Sequence, residues 1–211
     1  MKKYILLLAL LLSSTTFAVE PKFNDNFKQT KNEIETSSPG KIEVLELFWY
    51  GCIHCYSMDP YLDKWADSLP DDVVFKRVPA IPRKSWVPGA KAYFALETLG
   101  LEGKLHEKLF DAIHKEKSVD PNNEAALISW VTLNGKLDEK EVKAAFNSFS
   151  IDTKLKKSYK IFKEAGATGV PTIIIDGNYM TSSTMAGGEK NAIDITNYII
   201  ENIRNDRKKS N

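Results

Sequence analysis

The chain has 211 residues, 29 basic against 28 acidic side chains, 43% hydrophobic content and two cysteines. That composition excludes disordered, collagen-like and disulfide-scaffold classes, and a net charge of +1 offers no global field for nucleic acid or an anionic membrane. The length suits one domain, or one domain carrying a large insertion, around a sizeable core.

The chain opens with Met1-Lys2-Lys3, an apolar run from Tyr4 to Leu12, and small residues up to Ala18. This three-part pattern predicts a secretory signal peptide over residues 1–18, cleaved after Ala18. The run falls well short of the ~20 residues a membrane span needs. Export to the periplasm of a Gram-negative bacterium follows as the expected localisation, an oxidising compartment where two cysteines should pair. Residues 19–40 read as polar and irregular, ending in the turn signal Ser37-Ser38-Pro39-Gly40.

From there the hydrophobic pattern takes over. Ile42 to Tyr50 is a nearly continuous apolar run, interrupted by Glu43 and Glu46, and reads as a buried strand. A helix is predicted from Ile53, with Met58, Tyr61, Leu62, Trp65 and Leu69 on its apolar face and a kink at Pro60. Val73 to Val78 reads as a second strand, completing a βαβ unit. Helices are then predicted near 89–99, 103–116, 121–133, 138–148 and 151–165. Asp120-Pro121 should open the third, Asn134-Gly135 should close it, and Asp138 with Glu141 should cap the fourth. Thr172 to Ile175 is a strand, Asp176-Gly177 a hairpin turn leading through Tyr179, and 189–204 a last helix. The fold class is therefore α/β with an inserted all-helical block. The expected parts are 19–82 and 166–211 for the α/β domain and 83–165 for the insertion.

Cys52-Ile53-His54-Cys55 falls where the first strand ends and the first helix begins. Unpaired N–H groups and the partial positive charge of a helix N-terminus stabilise a thiolate on Cys52, as does a neighbouring imidazole. Cys55, one turn further in, is placed to resolve a mixed disulfide. A structural disulfide across four residues closes too small a loop to stabilise much, and zinc would need ligands beyond the distant His106 and His114. Redox activity is the reading that uses the placement.

Phe48-Trp49-Tyr50-Gly51-Cys52-Ile53-His54-Cys55-Tyr56, with Gly169-Val170-Pro171-Thr172 far downstream, resembles the DsbA family of periplasmic thiol:disulfide oxidoreductases. The resemblance implies a thioredoxin fold with a helical insertion, and Cys52 as exposed nucleophile with Cys55 as buried resolving thiol. It implies that His54 stabilises the Cys52 thiolate and that Pro171 is a cis-proline facing the pair. Val170 would then offer its backbone to an extended substrate segment. It also implies that Glu46, on an otherwise apolar strand face with Val44 and Phe48, is a buried carboxyl of raised pKa that exchanges protons with Cys55. Arg77 lies near the place where the family often keeps a lysine beside this acid. Ile53 departs from the proline that often follows the first cysteine, and it bears on oxidising strength.

The function so implied is donation of the Cys52–Cys55 disulfide to newly exported proteins by a monomer. A DsbB-like membrane quinone reductase would reoxidise it, with no cofactor, no metal and no nucleic acid. The rivals are an exported isomerase or reductase and, in another class, a periplasmic metal-binding chaperone using the CxxC. His106 and His114 read as surface residues of an amphipathic helix, and Arg204, Arg207, Lys208 and Lys209 as a solvated tail.

Overall fold

A computed structural model describes residues 20–209. The predicted signal peptide lies outside the described residues. Five strands form one mixed sheet: β1 (Lys28–Gln29), β2 (Ile42–Phe48), β3 (Val73–Pro79), β4 (Thr172–Ile175) and β5 (Tyr179–Thr181), in the order β1-β5-β4-β2-β3. β2 and β3 run parallel, joined across helix α1 (Ile53–Ala66), and the other pairings are antiparallel. The period-two alternation of β2 divides its side chains between two cores. Ile42 and Val44 pack with Met58 and Leu62 of α1 and with Ile195 and Ile199 of the C-terminal helix. Leu45 and Leu47 face the opposite side with Ile161, Ala165 and Ile174. Each fully buried aliphatic side chain of this kind contributes ~1.5–3 kcal/mol.

Between β3 and β4 the chain is helical: a single 3-10 turn (Lys84–Trp86), then α2 (Val87–Thr98), α3 (Glu102–His114), α4 (Glu124–Gly135), α5 (Glu139–Phe146) and α6 (Phe149–Ala165). Their shared core reaches the sheet at Phe48, the turn after it at Tyr50 and α1 at Cys55. After β5 come the short α7 (Ser183–Ala186) and the long α8 (Glu189–Lys209).

Apart from β1 and the short α7, the element order matches the sequence reading, and the differences in extent have local causes. The first strand ends at Phe48, because Trp49 to Cys52 form a turn closed by Cys52 N–H on the Trp49 carbonyl at 2.9 Å. α1 runs unbroken through Pro60 but stops at Ala66, so Leu69 lies beyond it, and Tyr61 is exposed. α4 begins at Glu124 under an Asn123 cap, since Asp120 spends its carboxylate on the Asn122 backbone N–H. The left-handed residue closing α4 is Lys136, one past Gly135. Asp138 does cap α5, accepting from the Lys140 N–H. α8 continues to Lys209, and its basic end is anchored: Arg204 pairs with Asp72 and Glu201, and Arg207 with Asp176.

The segment read as irregular carries β1 and buries Phe27 and Ile34. Ile34 N–H donates to the Gly177 carbonyl at 3.0 Å, in the β4–β5 turn where Asp176 and Gly177 both have positive φ. A Cβ on Gly177 would stand 2.0 Å from the Ile34 carbonyl oxygen. Gly177→Ala is therefore expected to cost about 2–4 kcal/mol, from the left-handed backbone plus displacement of the N-terminal segment. Urea unfolding checks this, and an unchanged midpoint would show that the segment adds nothing to stability.

Candidate active site

Cys52 is the N-cap of α1, in extended conformation, and its Sγ accepts the Cys55 N–H at 3.4 Å. Both cysteines are free thiols in the structure, so the pair is in the dithiol form. The two differ sharply. Cys52 is partly exposed, and its pKa is lowered to about 6. The Cys55 thiol contributes most to that lowering, then the backbone N–H groups of Cys55 and His54 and the charge of His54, against the opposing effect of burial. Cys55 is fully buried, and burial pushes its thiol well above the ordinary value, with Cys52 and Glu46 adding to the push. A sulfur at a helix N-terminus meets donors, while one a turn inward meets only the core.

The strand-to-helix junction also gathers the downstream residues. The Val170–Pro171 peptide is cis, and the Cys52 thiol donates to the Val170 carbonyl at 3.3 Å. His54 and Ile53 are both exposed on the first turn of α1, Ile53 by 52%.

Glu46 is 1% exposed and lies opposite Arg77 in the parallel register, on the α1 side of the sheet. Burial raises its pKa to about 8 despite the Arg77 charge. Arg77 Nε approaches Glu46 Oε2 at 3.4 Å, but neither atom makes a hydrogen bond, so the contact is Coulombic only. The register settles where Arg77 lies: it is the direct cross-strand neighbour of the acid.

Arg77 also binds Asp59 at 2.9 Å and Asp63. Asp59 was not singled out in the sequence, although it occupies the buried stripe of α1 with Cys55, Met58 and Leu62. A charged residue at an apolar period position was the available signal. Burial pushes its carboxyl up, but the hydrogen bonds from His106 and Arg77 and the Arg77 charge outweigh this and hold it below the ordinary range.

The surface reading of the two α3 histidines is corrected. His106 is buried, with Nε2 at 3.1 Å from Asp59 Oδ1 and Nδ1 at 2.8 Å from the Tyr50 hydroxyl. His114 is half-buried and directs Nε2 to the Tyr50 carbonyl at 2.7 Å. Helical periodicity marked both as polar positions, and nothing in the sequence told that Tyr50 and Asp59 would meet them. Among the described residues no group of three or more histidine, cysteine, aspartate or glutamate side chains is arranged to hold a metal.

Comparison with known proteins agrees with this geometry. Residues 77–193 match the DSBA-like thioredoxin domain. The thiol:disulfide interchange protein DsbA of Azotobacter vinelandii is 35% identical over 185 residues, covering 87% of this chain and 85% of that one. Its namesake in Pseudomonas aeruginosa is 34% identical over 213 residues, covering 97% and 99%. The latter alignment takes in the cysteine pair, which the family match alone does not reach. The crystal structure of Pseudomonas aeruginosa DsbA superposes with a TM-score of 0.80 at 34% identity, over 89% of this chain and 97% of that one. That of oxidoreductase DsbA from Xylella fastidiosa superposes at 0.81 with 28% identity, over 87% and 98%. A thioredoxin fold with a helical insertion and a dithiol at the N-terminus of its first long helix places the chain in the DsbA family of thiol:disulfide oxidoreductases.

Proposed function

We propose that the protein works as an oxidant, donating a Cys52–Cys55 disulfide to newly exported proteins. A substrate thiolate attacks Cys52 Sγ, and Cys55 leaves as the reduced partner. The substrate's second thiolate then displaces Cys52, so the substrate loses two electrons and the pair gains them. The observation that carries this reading is the asymmetry of the pair. A Cys52 pKa of about 6 leaves roughly nine-tenths of it as thiolate at pH 7, which favours the reduced form and makes Cys52 a good leaving group.

The other residues take their roles around that step. His54 adds charge stabilisation to the departing thiolate, and the Val170 carbonyl, beside Pro171, offers a backbone acceptor to an extended substrate segment. Glu46, with a pKa raised to about 8 and coupled to Cys55, exchanges the proton that Cys55 must gain or lose. The helical segment 83–165 acts as an insertion between 19–82 and 166–211, in keeping with α2–α6 between β3 and β4. Residues 1–18 direct export to the periplasm, where the protein acts as a monomer. No described helix is long and apolar enough to cross a membrane. A DsbB-type membrane quinone reductase restores the disulfide.

Equilibration of purified protein in glutathione buffers tests the direction of transfer. A reduction potential at or above about −180 mV is expected, the range of protein disulfide isomerase. A value near thioredoxin's ~−270 mV would make the protein an exported reductase, with Ile53 the first residue to replace.

A further inference from the structure

We propose that His106 and His114 are positioning residues for disulfide exchange, acting together through Tyr50 to fix the turn that presents Cys52. The proposal rests on the reading of Cys52 as the exchanging thiol. That turn runs from Trp49 to Cys52, and each residue before the cysteine is held by a separate device. The Trp49 indole stacks on Trp86 with centroids 4.2 Å apart and planes 5° from parallel. Gly51 has no side chain because a Cβ there would lie 2.4 Å from the Trp49 ring. Tyr50 is held at both ends, its hydroxyl by His106 Nδ1 at 2.8 Å and its carbonyl by His114 Nε2 at 2.7 Å.

The two imidazoles sit eight residues apart on α3, about 12 Å along the helix axis at 1.5 Å per residue. Tyr50 thus lies alongside α3, with its hydroxyl toward the N-terminal end of that helix and its carbonyl toward the C-terminal end. Each imidazole is in turn tied to α1, the helix that Cys52 caps. His106 bonds Asp59 at 3.1 Å, and His114 stacks on Tyr56 at 5.1 Å and 14°, while the Tyr56 hydroxyl donates to Asp111 at 2.7 Å. A proton on Nε2 of His106 satisfies both of its contacts at once, donating to Asp59 and accepting from Tyr50. A histidine that merely fills a core can take its donor and acceptor partners from any polar neighbours. Here two of them converge on the two polar ends of one residue, two positions before the nucleophile, and both also key the helix behind it. Any movement of Tyr50 carries Cys52 with it and misaligns the 3.4 Å contact from the Cys55 N–H to Sγ.

His114→Phe tests the clamp, because it keeps a ring to stack on Tyr56 and removes the donor to the Tyr50 carbonyl. Tyr50→Phe removes the other attachment and serves as the independent second variant. The readouts are the thiolate absorbance titration of Cys52 in reduced protein and the equilibrium constant with glutathione. Either variant is expected to raise the Cys52 midpoint by about half a pH unit or more and to move the glutathione constant about threefold. His114→Gln, which restores an N–H donor, should recover most of the change. Leu127→Ala, a core truncation in α4 that leaves the Tyr50 hydrogen bonds in place, should lower the melting temperature and move neither readout. If both variants titrate with the parent protein, however much they are destabilised, the histidines are structural only and the proposal fails. If the parent protein proves reducing while His114→Phe still moves the Cys52 midpoint, the donor reading falls and the clamp stands.

Discussion

Replacing Arg77 with methionine is expected to lower the unfolding free energy by about 3–5 kcal/mol, measured by chemical denaturation. The guanidinium is the only cation within 4 Å of three carboxylates among the described residues, Glu46, Asp63 and Glu102, and it shares Asp59 with His106. Asp59 is buried and held ionised, so removing its arginine strands charge in a poorly solvated place, Glu46 being protonated at neutral pH, while the methionine fills only the space of the stem. Arg77→Lys should fall between parent and methionine. A lysine retains the charge but, as a point donor, cannot reach Asp59 and Asp63 on one side and Glu46 on the other as the planar fork does. A methionine variant with an unchanged midpoint would show that packing alone holds the cluster.

The stability of the dithiol form should depend on pH with a change of sign that the disulfide form lacks. Glu46 has a pKa raised from 4.5 to about 8, so between those values the native state holds a proton that the unfolded chain has lost, and stability falls as pH rises. Cys52 is lowered from 9.0 to about 6, so between those values the unfolded chain holds the extra proton and stability rises with pH. The two slopes oppose one another between about 6 and 8. The reduced protein should therefore lose stability from pH 5 to 6, hold nearly level to 8, and regain stability from 8 to 9. Each slope is at most about 1.4 kcal/mol per pH unit, and less for the partly exposed Cys52 once solvent screening is counted. Asp59, Glu43 and Asp72 are held low, so their contribution is complete above their ordinary values and is lost only in stronger acid. Denaturation of Glu46→Gln in the reduced state isolates the cysteine: its stability should climb steadily from pH 6 to 9. A flat profile in that variant would mean that Cys52 titrates at its ordinary value.

The elements that position the site were legible because their signals are local. The apolar run of β2, the cysteines at its end and the turn at Asp176-Gly177 each announce themselves within a few residues. Burial of Glu46 was readable from the family resemblance together with the period-two pattern around it, since Val44 and Phe48 flank it on the same face. What escaped was the set of groups joined across elements. Asp59, Tyr50, His106 and His114 come from four places in sequence, and each alone resembles an ordinary helix or strand residue. Their meaning lies in distances of 2.7–3.1 Å that only tertiary packing creates. The short β1 was hidden for a related reason: two residues carry no period, and the strand exists only because β5 offers an edge.

The carbonyl that receives the Cys52 thiol lies 118 residues downstream of it. β4, which follows that carbonyl, must slot beside β2 only after all five insertion helices have been made. Pairings so distant in sequence form late and slowly, because a long loop must close before any contact repays it. During synthesis from the N-terminus, both thiols emerge well before the wall that will govern them. They are nevertheless three positions apart, and a bond between them closes too small a ring to fix any wrong topology. The spacing that suits the pair to passing on a disulfide also makes its own premature oxidation harmless to the rest of the chain's assembly.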